Sequence, residues 1–78
     1  MIKDSPVLIE WVDSTGITGE WERLDEVQPL EPVRCQSVGF LLEATDEYTT
    51  LVMTRSDSQI LGRLTIPTSV ILSTKRLR

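Results

Sequence analysis

Nucleophilic catalysis needs an attacking side chain with a base beside it. Cys35 is the only cysteine in this 78-residue chain, and no histidine exists to activate it. The serines and threonines lack that base too, and no Ser-x-x-Lys pattern occurs. Lys3 and Lys75 are the only lysines, and neither lies in an apolar run. Carboxylates sit in adjacent pairs at Asp25-Glu26 and Asp46-Glu47. Neighbours on a helix or strand point apart, so these pairs are expected to face water rather than share a proton. Asp13, Asp25, Glu26 and Glu31 could offer oxygens to a hard cation, but no EF-hand spacing is present. One thiol without histidine makes neither a zinc site nor an internal disulfide. The segment 13–19, DSTGITG, has two glycines but no Gly-Lys-Ser/Thr after them, so it is not a Walker loop. The expectation is a protein with no catalytic residues, no cofactor and no metal, which acts by binding.

Charge narrows what it binds. The formal net charge is −4. Every acidic residue lies between Asp4 and Asp57, and beyond them the only charges are Arg63, Lys75, Arg76 and Arg78. Phosphate neutralisation dominates affinity for nucleic acids. An acidic chain is therefore not expected to hold duplex DNA tightly. A small anionic nucleotide needs fewer cations, and Arg34, Arg63 and Arg76 are the candidates, particularly between subunits. Tryptophan and tyrosine carry much of the energy of protein interfaces. Trp21, flanked by Glu20 and Glu22, is the candidate anchor for a protein partner, and Tyr48 is a further candidate for the same role. The alternative is that Trp21 packs over an open end of the fold as a lid.

The elements that must position these residues are mostly strands. Residues 6–12, PVLIEWV, alternate with Val7, Ile9 and Trp11 inward and Glu10 toward water. Residues 13–33 form a connecting arm. Within it Trp21, Leu24 and Val27 have helical spacing, which fits one short helix over 22–28 ended by Pro29; the alternative is an irregular arm with a short strand around Trp21. Residues 34–43, 48–55, 60–66 and 70–77 read as four further strands, with polar turns at 44–47 and 56–59. A single 3₁₀-like turn at Pro67-Thr68-Ser69 precedes the last strand. The expected core is Val38, Phe40, Leu42, Leu51, Met53, Leu64 and Ile66, with Gly39 marking a bend or a close neighbour. Leu41, Val52 and Leu61 then face outward as an apolar patch, covered either by a second copy or by the chain's own arm. Self-association also suits a single domain of this size, which buries little and has no disulfide. The opening residues lack a leader pattern and no apolar run spans a bilayer, so the expected compartment is the cytoplasm.

The order of strand, long arm, three hairpin-linked strands, one turn and a last strand is similar to that of SH3-like and Sm-like small β-barrels. The chain is therefore expected to be mainly β, a five-stranded barrel with at most one short helix. The stretch SVGFLLEATDEYTTLV followed by GRLTIP resembles small proteins of tailed bacteriophages. Their later half couples a "VGWL…D/E-D-E…VTLA" stretch to a "…TIP…I" stretch, with tryptophan where this chain has Phe40. Trp11 and Gly19-Glu20-Trp21 resemble their aromatic-rich first half, so the likeness runs from Trp11 to Leu77. It implies a phage accessory protein in the infected host cell, one that binds and modulates a host protein. Sequestering a signalling nucleotide as an oligomer, or a minor place in the virion, are the alternatives.

Overall fold

The computed structural model describes residues 5–77. Lys3, Arg78 and the opening residues read above for a leader lie outside them. Strand β1 is Pro6–Asp13, β2 is Val33–Ala44, β3 is Tyr48–Arg55, β4 is Ile60–Pro67 and β5 is Ile71–Arg76. All pair antiparallel in one sheet of order β4-β3-β2-β1-β5. The chain is thus mainly β. Strands β4 and β5 are the two edges, and no pairing joins them among the described residues, so the sheet is open rather than a closed barrel.

The turns follow from hydroxyl chemistry. Thr45 Oγ1 accepts from the backbone N–H groups of Glu47 and Tyr48, both at 3.1 Å, and turns β2 into β3. Ser56 Oγ does the same for Ser58 and Gln59 between β3 and β4. Pro67 ends β4 because it has no N–H to extend the ladder. Thr68–Val70 makes one 3₁₀ turn, and the Thr68 N–H is tied to the Glu47 carbonyl at 2.9 Å.

The main core is Val7, Ile9, Leu51 and Ile66, with Trp11, Leu41, Val70 and Ile71 packed against it. Directly paired residues share a face. Val7 opposite Gly39 and Leu41 opposite Leu51 therefore place odd-numbered β2 residues over the core. This reverses the expected facing of β2. Leu41 packs inward, whereas Phe40 pairs with Val52 on the other face and Val38 is exposed. Leu42 is the extra residue of a β-bulge between Leu41 and Glu43, so it belongs to neither phase of alternation. Gly39 is where the strands close up: a Cβ there would lie 2.8 Å from the Val52 carbonyl oxygen.

Strand β3 is buried on both faces over residues 49–52. Val52, expected to face out, is 0% exposed. It sits between Phe40 on β2 and Arg63 on β4, beside Thr50, whose hydroxyl is 2.8 Å from that of Thr65. Thus a second, thinner packed layer lies behind the main core. Met53, expected in the core, is 72% exposed, and Leu64 is 38% exposed. Leu64 lies opposite Leu51 on the core face, but β4 is an edge strand with no neighbour beyond it among the described residues. The register explains Met53. Partners of β3 on β2 stop at Val52, while partners on β4 continue through Thr54 and Arg55. Beyond Val52, β3 and β4 overhang as a two-stranded ribbon, and Met53, Ile60 and Leu61 have no third strand beside them.

Candidate functional site: the β1–β2 arm

Residues 14–32 join β1 to β2 and form no helix. Of the two readings of this segment the helix over 22–28 does not form, nor does a strand at Trp21; the arm is irregular, with one turn closed by the Glu26 N–H on the Arg23 carbonyl at 3.0 Å. Two helical turns gain too little without a surface to pack on, and the arm packs on none. Every residue from Asp13 to Pro32 is exposed. The arm is tied at its base, where the Thr15 hydroxyl donates to the Glu31 carbonyl at 2.7 Å and Gly16 abuts the Leu30 side chain. Pro29 and Pro32 restrict the returning limb to extended geometry.

The arm presents apolar side chains to water. Ile17, Trp21 and Leu24 are fully exposed, and Val27 and Leu30 about half so. Trp21 is therefore not a lid over the sheet. Shallow hollows flank it, one lined by Thr18, Glu22, Leu24 and Val27. Its acidic neighbours are partly ordered: the Thr18 hydroxyl donates to Glu22 at 2.7 Å. Arg23 is the arm's one cation, and its guanidinium faces the Asp25 carboxylate at 3.2 and 3.3 Å, with Glu26 at 4.0 Å. Glu20, Glu22, Asp25, Glu26 and Glu31 set five carboxylates against that one arginine. The arm is thus an apolar strip with an acidic border. It can enter a hollow on another protein, and it repels phosphates.

The other candidates are not gathered there. Tyr48 begins β3 at the far end of β2, about 35 Å along that strand from the arm. Its hydroxyl donates to Glu43 at 3.3 Å. Arg63 and Arg76 lie on the opposite edge strands β4 and β5, and Arg34 lies beside the arm on β2, so one copy does not assemble them as an anion site. Of the outward trio, Leu41 is packed against the core, Val52 is buried and Leu61 alone is exposed, at 71%, so no shared patch forms. Cys35 is partly buried, and its thiol donates weakly to the Val33 carbonyl at 3.7 Å. Among the described residues no three carboxylates or thiols converge as a metal site needs. No helix among them is long and apolar enough to cross a membrane.

Sequence reasoning passed over Ile17 and the ribbon residues Met53 and Ile60. The signal for Ile17 was its place between two glycines in a segment too polar to be a strand. No local signal marks Met53, because its exposure depends on where β2 stops pairing with β3. No family model matches the chain, and neither a curated protein nor a solved structure matches it.

Proposed function

We propose that this is a non-catalytic binding module whose strand order is that of SH3-like and Sm-like small barrels, with its sheet left open. It is encoded by a bacteriophage and docks on a host protein through the arm between β1 and β2. The observation that carries the docking role is the fully exposed Trp21 between Glu20 and Glu22 on a segment whose every residue is exposed. A large aromatic side chain held in water gains most when a partner covers it. The strand order and the one-turn link between β4 and β5 support the small-barrel type. The likeness of residues 37–52 and 62–67 to phage proteins supports the origin.

The test is capture from infected cells with wild type and with Trp21→Ser, followed by reconstitution with the purified partner. Wild type should bind the purified partner, and Trp21→Ser should weaken that binding about tenfold or more. Equal binding by the two proteins would remove the arm from the interface.

A further inference from the structure

A partner that covers Trp21 covers more than an indole. Carboxylates border the hollows on both sides of it: Glu20 and Glu22 beside Leu24 in one, Glu22 and Glu26 beside Leu30 in the other. Whatever fills either hollow takes water from those carboxylates as well as from the ring. An ionised carboxylate stripped of water needs a cation in its place. The arm supplies none to Glu20 or Glu22. Arg23 is held by Asp25 and Glu26, and the partner of Glu22 is the uncharged Thr18 hydroxyl. The excess charge is also confined to this segment. Residues 14–32 hold five carboxylates and one arginine, which is the formal −4 of the whole chain, and the remaining residues hold seven charges of each sign.

We propose that the host-protein face that receives Trp21 is basic: an apolar hollow rimmed by arginine or lysine side chains, which meet Glu20 and Glu22 as the indole enters. This rests on the reading of the arm as the docking element and names the chemistry of its partner. Arginine suits both features of the site, because its guanidinium stacks on an indole face and its fork bonds a carboxylate. A neutral or acidic face would bury Glu20 and Glu22 without a counter-charge. A second copy offers no matching excess of cations, since the chain outside the arm is neutral. Opposite charge also steers the encounter and rejects partners of the wrong sign.

Hexa-arginine is the probe of that chemistry, read by tryptophan fluorescence of the purified protein at low salt. Wild type should give a saturable change with hexa-arginine and none with an uncharged Gly-Ser peptide, and Trp21→Ser, in which only Trp11 emits, should give neither. Glu20→Gln/Glu22→Gln should bind hexa-arginine about fivefold more weakly. Asp46→Asn/Glu47→Gln removes the same charge from the β2–β3 turn, at the far end of β2, and should bind as wild type does. All these positions are exposed except for none of the sheet core, so the variants should stay folded. No response to hexa-arginine would overturn the basic face, and so would equal weakening in the two double variants, which would reveal attraction by net charge alone. The purified host partner gives the second reading. Its affinity for wild type should fall about tenfold between about 0.05 and 0.3 M salt. A partner that binds Glu20→Gln/Glu22→Gln as tightly as wild type but loses Trp21→Ser would overturn the basic face and leave the docking role standing. A partner indifferent to Trp21→Ser would remove the docking role itself.

Discussion

A methyl group at position 39 has nowhere to go. It would stand 2.8 Å from the Val52 carbonyl and 3.2 Å from the Leu51 Cβ, and the first of these is backbone. Gly39→Ala should therefore push β2 and β3 apart and cost about 1–3 kcal/mol in urea unfolding. Val52 is the sharper case. Glutamate there would bury a carboxylate at a fully enclosed position, at a desolvation cost that the cross-strand Arg63, itself in water, does not offset. Val52→Glu should show no cooperative thermal transition. Trp21→Ser, by contrast, should change stability by no more than about 0.5 kcal/mol, since it removes no contact within the chain. The facing of β1 was legible because Val7, Ile9 and Trp11 alternate without interruption. That of β2 was not. Gly39 has no side chain to declare a side, and the bulge at Leu42 changes the phase within the run Phe40-Leu41-Leu42. For β3, alternation assumes one wet face. Thr50 and Val52 look like that wet face but lie under a second layer.

At the scale of elements, the arm and the ribbon are the parts that the sheet does not hold. The spacing of Trp21, Leu24 and Val27 suggested a helix, yet helical spacing has meaning only where a face is buried. Nothing in the local sequence says that this face has no surface to meet. The strand over residues 48–55, in contrast, lies where its β-branched run and its hydroxyl-capped turns place it. Because the arm adds no packing, replacing residues 16–30 by a short Gly-Asn turn should leave the sheet folded. The shorter connection changes loop-closure entropy by only about 1 kcal/mol. Loss of the strand signal in circular dichroism would show that the arm supports the sheet after all. The ribbon makes its own prediction. Amide hydrogens of residues 53–61 should exchange faster than those of residues 49–52. The former have a ladder on one side only.

Taken whole, the molecule is long for its mass. Its radius of gyration is 16.5 Å and its extents are 55 × 23 × 22 Å, against about 11.5 Å for a compact chain of this length. No property of composition announced that length. Another whole-molecule feature is the pairing of β1 with β5, in which Val7 lies opposite Arg76 and the Leu77 N–H reaches the Pro6 carbonyl at 2.8 Å. Joining segments so far apart in sequence is slow compared with closing a hairpin. Refolding from urea, followed by stopped-flow fluorescence of Trp11, should therefore take milliseconds to seconds, against about 1–10 μs for closing a hairpin. The same pairing bears on synthesis at the ribosome. β1 is translated first, and PVLIEWV is among the most apolar stretches of the chain. Its neighbour β2 follows only after the whole arm, and its other neighbour β5 only after everything else. For most of translation the nascent chain therefore trails an apolar strand with at least one open edge. This is a segment that a chaperone would hold and that crowded polysomes would cross-pair.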